Sequence, residues 1–148
     1  MRRASKIRPA GEWNAVEAVD CVVLDAEDRQ RRRIVLTGQN GTTFLLDLAG
    51  PATLHGGDGL VLDDGSIVAV RGAEETLIEI AADRASDLMR YAWHIGNRHT
   101  GLQVLGAKLR IRSDHVLEGM LRQMGATLQS VDAPFDPEPD MRSRREAE

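Results

Sequence analysis

The chain is poor in aromatic side chains, in cysteine, in long apolar runs and in any surplus of positive charge. Aromatics make up 3% of its 148 residues, so branched aliphatics must do most of the packing; hydrophobic content of 42% is enough for a core. A single cysteine, Cys21, excludes an internal disulfide and a cysteine-based zinc cage. No apolar stretch approaches the length of a membrane span, and Arg2, Arg3, Lys6 and Arg8 are not followed by the apolar run of a signal peptide. Net charge is −4. Residues 1–74 carry 9 Lys/Arg against 11 Asp/Glu and residues 75–148 carry 10 against 12, so neither half is a basic domain suited to nucleic acid. These absences predict a cytoplasmic protein of one or two small domains that binds neither nucleic acid nor membrane.

What is present divides near residue 74. Residues 13–73 read as all-β. Cys21 to Leu24 is a short apolar strand, Arg31 to Leu36 alternates, and Thr42 to Leu48 is rich in Thr, Phe and Leu. Asn40-Gly41 closes a hairpin between the last two, and Asp63-Asp64-Gly65-Ser66 closes another between Leu60–Leu62 and Ile67–Val70. Gly56-Gly57-Asp58-Gly59 is a turn; no helix follows it to make a phosphate loop.

From Glu74 the period changes. Leu77 to Ala81 is a strand, and Ser86 is placed to cap a helix bearing Leu88, Ala92 and Ile95 at helical spacing, with Met89 and Trp93 beside them. Gly96-Asn97 stops it. Leu102 to Leu105 and Lys108 to Ile111 are strands about Gly106. Ser113 or Asp114 caps a second helix, Gly125 ends it, and Ala126 to Val131 is a last strand. The fold class is α+β: an N-terminal all-β domain (1–74), then a ferredoxin-like βαββαβ domain (75–135). Residues 136–148, rich in proline and charge, form a disordered tail.

Two of the four histidines fall in His94-Ile95-Gly96-Asn97-Arg98-His99-Thr100. Positions 88, 92, 95 and 99 share one helical line, so His99 extends the apolar stripe if the helix persists that far. Asp87, Tyr91, His94 and Arg98 form a separate line. His94 and His99, five residues apart, do not make the i,i+4 chelate of a zinc helix. One chain thus offers one good ligand here, and a two-fold dimer pairing His99 with itself would supply a second. His115, in the first turn of the second helix, is a further candidate ligand, with Asp114 beside it to orient the ring or supply an oxygen.

Each reading has a plainer counterpart. His99 is equally a capping residue for the last helical carbonyls. His94 reads as a surface or half-buried hydrogen-bonding residue, His115 as surface, His55 as a turn residue. Cys21, Met89, Met120 and Met124 read as core. Arg29, Arg31, Arg32 and Arg33 are a solvated strand edge or a docking surface for an acidic partner.

At this point the motifs become recognisable. Tyr91-Ala92-Trp93-His94-Ile95-Gly96-Asn97-Arg98-His99 resembles the signature of the UreE family of urease accessory proteins, which are nickel metallochaperones. The likeness continues through Asp114-His115-Val116-Leu117-Glu118-Gly119-Met120-Leu121-Arg122-Gln123-Met124-Gly125 to Ala133-Pro134-Phe135-Asp136-Pro137-Glu138. In the β-half, Asp28-Arg29-Gln30 to Arg33, the Gly56-Gly57-Asp58 turn and Val70 to Glu75 are also similar. The resemblance implies an N-terminal domain that contacts partner proteins or peptides and a C-terminal domain that carries the metal and the homodimer interface.

It also implies that His99 binds Ni²⁺ from both subunits, with His115 a secondary ligand. Some members carry a further histidine where this chain has Ser113, which makes a peripheral site here poorer. The implied partners are the GTPase accessory protein UreG, the urease apoprotein and its accessory complex. Many members end in a histidine-rich segment; residues 136–148 contain no histidine, so the expectation is delivery rather than storage.

The chain is therefore expected to be no enzyme. It should carry nickel as cargo, with Cu²⁺ or Zn²⁺ also able to bind imidazole nitrogen. One alternative is an interaction module of the urease maturation complex with a vestigial metal site, docking through Arg31, Arg32 and Arg33. A hydrolase using His94 or His99 as base would need a positioned nucleophile or acid, and no Ser-His or Cys-His arrangement is legible.

Overall fold

The computed structural model describes residues 1–139. It contains ten strands and two α-helices, in two units, Met1–Ala73 and Glu74–Glu138. Among the described residues, no helix is long and apolar enough to cross a membrane.

The first unit is a six-stranded sheet built from β1 (Arg2–Arg8), β2 (Ala18–Leu24), β3 (Arg33–Thr37), β4 (Thr43–Asp47), β5 (Gly59–Leu62) and β6 (Ile67–Gly72). Their spatial order is β2-β6-β5-β1-β4-β3. The hairpins β3–β4 and β5–β6 close where Asn40-Gly41 and Asp64-Gly65 predict them. Alternation then fixes one inward face: Phe44, Leu46, Leu60 and Val68 are fully buried. Burial of each such side chain contributes roughly 1.5–3 kcal/mol. The exposed ion pairs of the outer face, such as Arg2–Asp64 and Arg33–Asp47, add about 0–1 kcal/mol each, so the apolar face holds the sheet.

One strand is not foreseen. β1, with four cations in seven residues, sits in the middle of the sheet, parallel to β4 and antiparallel to β5. Its register against β5 shifts between Ala4 and Lys6. The shift brings Ala4, fully buried, and Ile7, three residues on, toward the same core, and so erases the two-residue period.

A buried carboxylate curls the sheet. Asp20, 4% exposed, accepts the N–H groups of Cys21 (2.7 Å), Asn40 (2.9 Å) and Thr42 (3.0 Å), which ties β2 to the tip of the β3–β4 hairpin. Burial alone would raise its pKa. The donors of Asn40, Cys21 and Thr42 outweigh that and bring it down to about 2, so it stays ionised at neutral pH. Gly38 is required by this contact: a Cβ there would overlap the Asp20 carboxylate. Half-buried Cys21 lies beside this contact and outside the apolar core, contrary to the expected placement, because Asp20, Val22 and Leu24 take the inward positions.

The second unit comprises β7 (Glu74–Ala81), α1 (Ala85–Asn97), β8 (Gln103–Leu105), β9 (Lys108–Arg112), α2 (His115–Gln123) and β10 (Thr127–Pro134). The sheet order β10-β7-β9-β8, antiparallel throughout, is that of a ferredoxin-like βαββαβ unit, so the fold class is as expected. Both helices pack on Ile78, Ile80, Leu109 and Ile111.

Candidate metal centre

α1 begins one residue before the expected cap. Arg84 is its N-cap and makes no capping bond; instead its guanidinium and that of Arg90 both donate to Asp87, at 3.1 and 3.0 Å. The inward face is Leu88, Tyr91, Ala92 and Ile95. Tyr91, assigned to the polar line by spacing, is 3% exposed, because its hydroxyl donates to the Met124 carbonyl at 3.1 Å and so keeps a partner on burial. Met89, expected in the core, is 68% exposed, and Trp93 is 64% exposed. Met89 and Trp93 therefore leave apolar surface exposed on the outer face of α1 among the described residues.

The helix stops at Asn97, so the line 88, 92, 95, 99 is broken before its last member. Arg98 is the C-cap and His99 follows in the left-handed region, with φ of 56°. The His99 N–H donates to the Gly96 carbonyl at 3.0 Å, which satisfies one of the open carbonyls of the last turn. Seven described residues have positive φ, and the other six are glycines. A side chain there costs roughly 1–2 kcal/mol, which glycine would avoid. His99 is exposed, so no packing among the described residues repays that cost.

The segment leaving His99 is held from the far end of the chain. Gly101 lies against the ring of Phe135, where a Cβ would stand 3.2 Å from it. Phe135 is fully buried beneath the Arg112 guanidinium, 5.0 Å from its centroid. The Asp136 N–H donates to the Gln103 side chain at 3.1 Å and the Glu138 N–H to the Leu102 carbonyl at 2.7 Å. Asp136 to Glu138, read from sequence as the start of the tail, thus clamp the loop after His99. Residues 140–148 of that expected tail lie outside the described residues. Neither support is legible in the sequence, because a phenylalanine after a strand and a lone glycine in a loop give no periodic signal.

His115 is the first residue of α2 and is exposed. Asp114, the N-cap, accepts from the Leu117 N–H at 3.0 Å. The Glu118 carboxylate accepts the Asp114 N–H at 2.8 Å and the Ser113 hydroxyl at 3.3 Å. This reciprocal cap commits one oxygen of Asp114 to the start of the helix. His94 is half-buried, edge-on to Trp93 at 4.9 Å. His55 is in a turn, its N–H on Asp58 at 2.8 Å. Among the described residues, no three His, Cys, Asp or Glu side chains form a group able to hold a metal ion. The structure therefore does not unite His99 and His115 in a site of that size within one chain.

Of the arginine run, Arg29 is 2% exposed and donates to the Leu24 carbonyl, so it is structural. Arg31, Arg32 and Arg33 are exposed at the start of β3.

The geometry can be set beside known proteins. Residues 3–73 match the family described as "UreE urease accessory protein, N-terminal domain", and residues 75–148 match its "C-terminal domain" counterpart. A urease accessory protein UreE of a Bradyrhizobium species is 48% identical over 138 residues, 93% of this chain and 66% of that protein. That of Rhodopseudomonas palustris is 49% identical, over 93% of this chain and 64% of that one. For Rhodobacter capsulatus the figures are 44%, 93% and 85%. The chain thus spans under two thirds of the length of the first two relatives. Both halves match domains of accessory proteins rather than of enzymes, and with a match along both units the chain belongs to the UreE family of urease accessory proteins.

Proposed function

We propose that the chain is a nickel metallochaperone that delivers Ni²⁺ for assembly of the urease active site, its cargo held by His99 from both subunits of a homodimer. The observation that carries this is the exposed imidazole at a left-handed helix end, a conformation that only glycines otherwise adopt among the described residues. The dimer is supported by two further features. One chain lacks a three-ligand cluster among its described residues, and the helix that ends at His99 exposes Met89 and Trp93 on its outer face. A second copy covering that face brings two imidazoles together about the symmetry axis.

Few protein ligands at an exposed site favour transfer over retention; a structural metal would be enclosed by four. Cu²⁺ binds imidazole more tightly than Ni²⁺ does, and Zn²⁺ also binds it, so selectivity comes from supply and partners. His115 is a peripheral ligand at best, because Asp114 is committed to the helix cap. The recipients are the GTPase accessory protein UreG and the urease apoprotein, in the cytoplasm, with Arg31, Arg32 and Arg33 as docking residues.

Calorimetry and native mass determination test this. The expected result is one Ni²⁺ per two chains, lost in His99→Ala with the circular dichroism unchanged. Unchanged nickel stoichiometry and affinity in that variant would sink the proposal.

A further inference from the structure

The six-stranded sheet has two free ends, β2 and β3. They approach at the hairpin tip, where the Gln39 N–H donates to the Cys21 carbonyl at 2.9 Å, but they do not pair as strands. The open edge of β3 follows from ladder parity. The Gly38 N–H donates to the Thr42 carbonyl and the Leu48 N–H to the Arg32 carbonyl, both at 2.8 Å, so the even-numbered residues face β4. In an antiparallel ladder the residues between them turn their backbone groups the other way. Arg33, Val35 and Thr37 therefore present N–H and C=O groups along an edge that no described strand covers. Val35 on that edge is 54% exposed.

The edge is flanked by cations. Arg32 has no ion pair among the described residues. Arg31 reaches Asp28 at 3.3 Å, and Arg33 and Arg3 share Asp47 at 3.5 and 3.4 Å. Four guanidinium groups thus face two carboxylates, and the side chains of Arg31 and Arg33 remain 53% and 65% exposed.

We propose that the open edge of β3 docks an extended acidic segment of a partner protein, which adds as a further strand beside Arg33–Thr37. This rests on the reading of Arg31, Arg32 and Arg33 as docking residues and specifies how they dock. Backbone bonds to Arg33, Val35 and Thr37 supply the pairing, and the arginines select the sign of charge. If the arginines serve only to keep the edge from aggregating, nothing adds there.

The probe is a synthetic peptide of about eight residues alternating Glu and Val, long enough to span an average strand, titrated into the full chain labelled with ¹⁵N. A Lys-Val peptide is the control. The expected result is saturable binding of the acidic peptide, at least about tenfold tighter than the basic one, weakened about tenfold in Arg32→Glu and by added salt. The Val35 and Thr37 amides should become slow to exchange when it binds. Val35→Pro removes an edge donor without removing a β4 bond and should abolish binding. Absence of saturation by the acidic peptide overturns the proposal, as does binding that leaves the Val35 and Thr37 amides unprotected. If that second result still depends on Arg32, the edge reading falls while the docking reading stands.

Discussion

The two helices of the second unit end alike and are built differently. Each stops at a residue in the left-handed region: Gly125 after α2, with φ of 95°, and His99 after α1, with φ of 56°. α2 is also well begun, with Asp114 on the Leu117 N–H and Glu118 returning to the Asp114 N–H. α1 has no side-chain cap at its start and an imidazole where its end favours glycine. α2 follows local stability at both ends; α1 departs from it at both, and one of those departures puts an imidazole in solvent. Local rules fail most where a chain serves something other than its own folding.

That contrast can be broken by substitution. The largest stability change is expected from Gly125→Ala. Nothing blocks the added methyl, whose nearest neighbour is the Tyr91 hydroxyl at 3.8 Å, so the backbone alone sets a cost of about 1–2 kcal/mol. Thermal unfolding should show it, and no change in midpoint would mean that α2 does not depend on that conformation. Asp114→Ala should cost about 1 kcal/mol by removing the cap, measured by urea titration. A loss confined to nickel binding would instead assign Asp114 to the metal. The smallest expected effect is a gain: Arg84→Ser supplies α1 with the cap it lacks and should add about 0.5 kcal/mol after the loss of its ion pair with Asp87. A decrease would show that the Arg84–Asp87–Arg90 cluster holds the helix start.

Much of this is legible in the sequence. Asn40-Gly41 and Asp64-Gly65 mark hairpins because few other residues accept their backbone angles. Asp114 and Gly125 mark both ends of α2. β1 is hidden because a register shift separates Ala4 from Ile7 and cations fill the positions between. The inward face of α1 is only half legible. Helical spacing identifies a stripe but cannot say which flank turns inward, so Tyr91 is buried through its bond to Met124 while Met89 stays outside. His99 is legible as a candidate ligand, but its left-handed backbone is not, since Asn97 is the residue that ordinarily takes that role. The clamp of Phe135, Asp136 and Glu138 on the loop after His99 joins segments more than thirty residues apart and leaves no local trace.

The proposed role of His99 requires α1 to tolerate a strained end in order to present a ligand. His99→Gly tests it most directly, with thermal unfolding and nickel titration on the same preparation. Opposite movements are expected: stability rises by about 0.5–1 kcal/mol as the left-handed position receives glycine, and nickel affinity falls about a hundredfold or more, close to 3 kcal/mol of binding free energy. Nickel affinity equal to that of the unaltered chain, or a variant less stable than its parent, would contradict it.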